Sequence, residues 1–197
     1  MKTLSEKLHY YFFEEERPEQ VSLANIFILT EERLFGFPLA FVAFLGIFSI
    51  PGTSAIFGLA MLLITLQLCC GLSKPWLPQK ILRTTFPLKN LQIVMRHLIP
   101  WLKRIEKLTK PRLTVVCHSL VGRMILGFVL SIMAFLVLLP IPGANSIPSF
   151  SIFIAALGLQ EDDGFFSLLG IVIALVFMAV VIGLFWTGSS MFPFIQR

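Results

Sequence analysis

No Asp, Glu, Lys or Arg occurs between Leu34 and Ser73, between Met124 and Gln160, or between Gly164 and Gln196. Charged residues are 14% of the 197-residue chain and hydrophobic ones 56%. A soluble domain carries about a quarter charged residues, so there is too little charge here to cover the apolar surface. The mean hydropathy of +0.86 points to a polytopic membrane protein. Cysteine is scarce, and Cys69, Cys70 and Cys117 show no metal-ligand spacing. They read as small apolar residues of a reducing compartment. His9, His97 and His118 are scattered. There is no nucleophile elbow, Walker loop, His-Glu-x-x-His or Cys-x-x-Cys. A glycosyltransferase would need metal and nucleotide carboxylates and a soluble domain, and neither is available. The reading is therefore of a non-enzyme without cofactor or metal. The first twenty residues carry glutamates where the apolar core of a signal peptide would lie, which excludes that assignment.

The charge that does exist is concentrated. Ten of the sixteen basic residues fall between Lys74 and Arg112, opposed by Glu106 alone. A basic stretch between apolar spans marks a cytoplasmic loop, a simpler reading of the basic pI than nucleic-acid binding. Within it, Leu88 to Leu108 reads as an amphipathic helix bent at Pro100. Leu91, Met95, Leu98, Leu102 and Ile105 form its stripe, and Arg96, Lys103, Arg104 and Lys107 lie off it. Such a helix lies in the membrane interface, its cations on anionic lipid headgroups, or serves only as a charged, topology-setting loop. Toward the N-terminus, Ser5 to Glu16 places Leu8, Tyr11 and Phe12 at helical spacing, and Ser22 can cap a second short helix through Leu29. Both read as surface or interfacial helices.

Five apolar segments follow: Leu34 to Ile50, Ala55 to Leu72, Met124 to Leu139, Ile147 to Leu159, and Phe165 to Trp186. A full span needs about 20 residues. Only the fifth reaches that length unaided, and the fourth is too short to cross without thinning, extension or burial among other helices.

Two breaks interrupt these segments in the same way. Sliding the chain against itself by 91 positions aligns Gly36-Phe37 with Gly127-Phe128, Ala43-Phe44 with Ala134-Phe135, and Ile50-Pro51-Gly52 with Ile141-Pro142-Gly143. Ile56, Leu66 and Leu68 meet Ile147, Leu157 and Leu159, and these ten identities share one ungapped register. This pattern reads as an internal duplication. In each half a Pro-Gly break leads into a helix through small polar residues, Thr53 and Ser54 or Asn145 and Ser146. Paired breaks in corresponding positions point to a transporter's central site. The competing reading is a pair of tight turns with Ser, Thr and Asn as N-caps. The short fourth segment tilts the expectation toward an inverted repeat with re-entrant helices.

The residues that carry a family resemblance are the first Ile-Pro-Gly, LLITLQLCCGLSKPWLP, PWLKRIEKLTKPRL, and LPIPGANSIPSFSIFIAALGLQEDDG. Taken in that order, from Val21 to Trp186, the chain resembles the ExoD family of bacterial membrane proteins. The specific parts are Pro-Trp-Leu-Pro at Pro75 to Pro78, the two Ile-Pro-Gly breaks and the Leu-Gly-Leu-Gln-Glu-Asp-Asp-Gly end. The resemblance implies a multi-pass protein of the bacterial inner membrane linked to exopolysaccharide synthesis. It assigns no reaction and carries over no catalytic residue. Cys69-Cys70 stands where plain aliphatic residues are expected.

The sequence thus predicts one all-α, polytopic membrane domain of two related halves with broken or re-entrant short helices. Residues 1–32 form N-terminal amphipathic helices, 33–72 the first repeat, 73–120 the basic linker, 121–163 the second repeat and 164–190 the final span. The expected function is transport or translocation of a small anionic or lipid-linked substrate in support of exopolysaccharide production. Its pathway would be lined by Pro51, Gly52, Thr53, Ser54, Gln67, Pro142, Gly143, Asn145 and Ser146. The acidic run Glu161, Asp162 and Asp163 either guards a pathway or caps the last helix. The alternatives are a non-transporting scaffold or regulator of biosynthetic enzymes and, more weakly, an ion transporter for alkali tolerance. The absence of ionisable residues inside the spans disfavours a proton-coupled carrier. Expected partners are the bilayer with its anionic headgroups, a second copy in a homodimer, and polysaccharide biosynthesis proteins; nucleic acid is not among them.

Overall fold

The computed structural model describes residues 4–14, 20–22, 35–48, 54–72, 75–76, 85–109, 112–139 and 145–191. Among the described residues the structure is helical apart from one two-stranded ribbon. The helix expected from Ser22 to Leu29 lies outside the described residues beyond Ser22 itself. α2 (Gly36–Ile47), α3 (Ser54–Cys69), α6 (Leu120–Leu138) and α7 (Ser146–Gln160) form a bundle. The ring closes through contacts of α2 with α3, α3 with α6, α6 with α7 and α7 with α2. α8 (Gly164–Met191) lies against the outer side of α7.

Small residues set the helix spacing. A Cβ added at Gly127 of α6 would come 2.2 Å from the Cys69 nitrogen, and one at Gly36 of α2 would come 2.6 Å from the Gln160 Cα. Backbones that close leave no room for a side chain, the packing that replaces the missing hydrophobic drive between helices in lipid. Near the other end, Gly58 of α3 meets Val137 and Leu138, and Gly46 of α2 meets Met61 and Ser149.

These contacts fix direction. The ends of α2 and α6 and the starts of α3 and α7 share one end of the bundle. α2 and α6 therefore run the same way, and α3 and α7 run back. An axis in the membrane plane would set α2 against α6, so the inverted arrangement expected from the short fourth segment is not the one adopted. That segment becomes α7, whose residues from Ser151 to Gly158 are all buried. A helix apolar on every side belongs in an interior, and α7 sits among α2, α6 and α8 instead of meeting the bilayer alone.

α6 and the Gly164–Leu184 part of α8 are long and apolar enough to cross a membrane. Only 17% of the α8 window is buried against protein. A soluble protein buries its most apolar helix; this one exposes Val172, Val176, Val180 and Leu184 along its length.

The N-terminal segment and the linker form a second unit. α1 (Leu4–His9) widens into a π turn at Tyr10–Glu14 and packs on α4 (Leu88–Leu108). β1 (Gln20–Ser22) pairs antiparallel with β2 (Thr85–Pro87), Val21 opposite Phe86, a ribbon the sequence reading missed. Leu8, Tyr11 and Phe12 are buried, as are Leu91, Met95, Leu98, Ile99 and Leu102 of α4. The α4 stripe, expected to face lipid, therefore packs on the N-terminal helix. Polar bonds hold the pair: the Ser5 amide donates to Glu106 Oε1 at 2.8 Å, the Ser5 hydroxyl donates to Glu106 Oε2, and Gln92 Nε2 donates to the Phe12 carbonyl at 2.8 Å. α5 (Thr114–His118) joins this unit to α6.

Candidate functional site

Of the expected pathway residues, Pro51, Gly52, Thr53, Pro142 and Gly143 lie outside the described residues. Ser54, Asn145 and Ser146 stand at the shared end, where α3 and α7 begin. The Ser146 hydroxyl donates to the Ile47 carbonyl at 3.3 Å, tying the start of α7 to the end of α2. Asn145 occupies the N-cap position of α7 but its side chain makes no capping bond. The turn-and-cap reading of this break therefore lacks its expected bond at Asn145.

The polar accounting of the bundle is uneven. Buried Thr65 donates to the Met61 carbonyl at 2.9 Å, Ser131 to the Gly127 carbonyl at 2.7 Å, and Ser151 across to the Gly170 carbonyl at 2.9 Å. Ser167 donates to the Ala155 carbonyl at 3.4 Å. In contrast, Ser54 Oγ, Asn145 Oδ1 and Ser149 Oγ are buried with no hydrogen-bond partner. Ser54 and Ser149 are 0% exposed and Asn145 9%. A buried polar group left unpaired costs about 1–3 kcal/mol. Three such groups at one end of one bundle are a sizeable charge against a typical total stability of about 5–15 kcal/mol. Ser149 was not among the residues singled out from sequence. Two signals could have found it: it lies one helical turn after Asn145, and 91 positions after Gly58.

Gln67 does not belong to this cluster. It lies thirteen residues along α3 from Ser54, about 20 Å at 1.5 Å per residue. There its Nε2 donates to the Trp76 carbonyl at 2.9 Å and its Oε1 accepts from the Trp76 amide. Gln67 thus clamps the start of the linker.

The acidic run also lies at the linker end. Asp163 Oδ1 accepts the Phe165 amide at 3.0 Å and caps α8. Asp162, at φ 54°, places Oδ1 3.3 Å from His118 Nε2. Beneath them Cys117 is buried, its sulfur 3.6 Å from Ser167 Oγ. Burial pushes its thiol pKa above the usual 9.0; the Ser167 contact lowers it, and Asp162 and Asp163 add to the rise. Arg96, Lys103, Arg104 and Lys107 are all exposed on α4. Among the described residues, no three His, Cys, Asp or Glu side chains group as a metal site.

An all-helical protein with membrane-length apolar helices and a polar cluster where two helices begin is the class these features define. The family model for exopolysaccharide synthesis, ExoD, matches residues 4–183, and the chain belongs to that family. An uncharacterized protein of Synechocystis sp. is 36% identical over 194 residues, covering 96% of this chain and 92% of that protein. Protein ExoD of Rhizobium meliloti is 29% identical over 119 residues, covering 59% of this chain and 49% of that protein. No solved structure matches. Family and exposed apolar helices together mark a membrane protein, and the family implies involvement in exopolysaccharide synthesis.

Proposed function

We propose that the chain is a multi-pass inner-membrane protein that moves a small anionic or lipid-linked substrate in support of exopolysaccharide production. The observation that carries this reading is the set of three unpaired oxygens, Ser54 Oγ, Asn145 Oδ1 and Ser149 Oγ, at the shared end of α3 and α7. Serine hydroxyls donate to phosphate or carboxylate oxygens. The starts of α3 and α7 supply unpaired backbone N–H groups and the positive ends of two helix dipoles. The site needs no charged side chain; the one charged residue of the two membrane-length helices, Arg123, lies near the opposite end of α6.

Three correspondences support a duplicated origin with parallel halves, each at the 91-residue shift. Gly36 against Gln160 matches Gly127 against Cys69. Gly58 against Val137 and Leu138 matches Ser149 against Gly46. Ser54 matches Asn145, both buried and both unpaired. Charge supports the orientation: the basic linker at the opposite end is cytoplasmic by the positive-inside rule, so the cluster opens toward the outer face. α3 has 16 residues, about 24 Å at 1.5 Å per residue. With Cys69 at the cytoplasmic boundary, Ser54 falls short of the far side of a ~30 Å hydrocarbon layer.

The test is exopolysaccharide yield in cells that depend on the variant, with insertion and folding measured in parallel. Asn145→Leu, Ser54→Ala and Ser149→Ala are expected to insert and fold but to lose complementation. If all three are stable, inserted and fully active, the breaks are turns. The scaffold reading then takes over, with the α1–α4 unit as its docking element.

A further inference from the structure

Beside the packed seam of α1 and α4 lies a groove of about 380 Å³, walled by His9, Phe13, Ile99, Pro100, Arg96 and Lys103. That volume is within the range of small-ligand pockets, ~300–1,000 Å³. Its floor is apolar, and Ile99 is buried beneath it. Arg96 and Lys103 are seven residues apart on one helix, two turns along the same face and about 10 Å apart in rise. Both are exposed. Among the described residues neither is held by an acid. From the opposite wall the His9 ring lies 5.3 Å from that of Phe13 at a tilt of 38°, with Nδ1 3.3 Å from Glu14 Oε1.

We propose that this groove binds one anionic lipid as a discrete molecule, its phosphate between Arg96 and Lys103 and its chain along Phe13, Ile99 and Pro100. Two observations select this occupant. The apolar stripe of α4 is covered by the N-terminal helix, so α4 has no stripe left to insert into a bilayer. Ile93 and Trp101 are exposed elsewhere on α4, but in the groove the apolar surface is concave and bracketed by two cations, which matches a molecule with one anionic head and one chain. A free anion would leave the apolar floor wet, and a neutral chain would leave the cations unused. The inference concerns the linker end and does not rest on the transport reading.

The test is native mass spectrometry of the full chain released from a neutral maltoside detergent, with dodecyl phosphate, dodecanol or inorganic phosphate added. The expected result is one dodecyl phosphate retained per chain, with neither dodecanol nor inorganic phosphate retained. The double variant R96Q/K103Q should weaken dodecyl phosphate binding at least tenfold, and Phe13→Ala should weaken it severalfold. The double variant R104Q/K107Q, whose residues do not line the groove, should bind as the parent does. All these charged side chains are exposed, so the fold should survive, and circular dichroism checks that it does. Equal retention of dodecanol would reduce the groove to an apolar patch, and retention of inorganic phosphate to an anion site. Equal losses in both double variants, or no loss in R96Q/K103Q, would leave only a diffuse basic surface. Any of these outcomes overturns the proposal.

Discussion

Gly127→Ala tests the packing logic of the bundle directly. The new Cβ would sit 2.2 Å from the Cys69 nitrogen and 2.6 Å from its Cα. Unstrained contacts need about 3.5 Å, so α3 and α6 must part by roughly 1 Å along their most extensive interface. Overpacking of this kind costs about 1–3 kcal/mol, and Gly→Ala in a helix returns at most about 1 kcal/mol. A clash with backbone takes the upper part of the overpacking range, so the net expectation is a loss of about 1–2 kcal/mol. For a chain of this size that lowers Tm by about 2–8 °C. Gly36→Ala meets the Gln160 backbone at 2.6 Å and should cost a similar amount. Gly183→Ala, with nothing within 4 Å of the added carbon, should be neutral or slightly stabilising. Thermal unfolding of the purified protein in one detergent, followed by circular dichroism, reads all three. If Gly127→Ala is as stable as the parent or more so while Gly183→Ala behaves as expected, the close backbone approach does not hold the bundle together.

Other expectations follow from the same contacts. Glu106→Gln weakens the bonds to the Ser5 amide and hydroxyl, and limited proteolysis should release the N-terminal segment faster than from the parent. Asp163→Ala removes the α8 cap and should cost about 1 kcal/mol, read as a lower Tm. A maleimide should modify exposed Cys70 readily and buried Cys117 slowly at pH 7.5. Burial also raises the Cys117 pKa, which lowers its thiolate fraction at neutral pH, so equal rates for the two thiols at neutral pH would contradict the burial. A cysteine introduced at Gln79, in a background lacking the native three, should resist an impermeant thiol reagent in intact cells; labelling from outside would reverse the proposed topology.

How much of this was legible in sequence depended on which force decided each element. The α4 boundaries, Leu88 to Leu108 with Pro100 inside, follow from an apolar period that one helix alone must satisfy. What that stripe packs on did not follow, because α1 and a lipid interface ask for the same pattern. The ribbon of β1 and β2 was invisible because three-residue strands carry no period. The relative direction of the helices was not legible for a related reason. A short apolar segment can be re-entrant in lipid or buried in protein, and only its neighbours choose. The 91-residue register pointed to Ser54, Asn145 and Ser146. It left out Ser149, since a serine aligned with a glycine scores as a mismatch. Physically the two are equivalent there, both small enough for close approach.

The unpaired oxygens are better explained by a task than by tolerance. Buried Thr65, Ser131, Ser151 and Ser167 each reach a carbonyl on their own or a facing helix. A hydroxyl in a helix commonly has such an acceptor three or four residues back, so pairing needs only a rotation about χ1. Ser149 lies on α7 four residues after Asn145, and the Asn145 carbonyl already accepts the Ser149 amide at 3.1 Å. The backbone acceptor is thus within the reach of that turn, yet the hydroxyl is not on it. Serine at 54 and 149 could each have been alanine, and asparagine at 145 leucine, at a gain in stability, since an apolar group of similar size incurs no desolvation cost. Retaining three polar groups unpaired at one end of the bundle, when its other buried hydroxyls at Thr65, Ser131, Ser151 and Ser167 are paired, fits the trade of stability for function seen at binding sites. On the proposed transport reading, a cargo that pairs with these groups recovers the cost when it binds and returns it when it leaves. Such a site can hold a polar group inside an apolar bundle without a fixed charge to trap it.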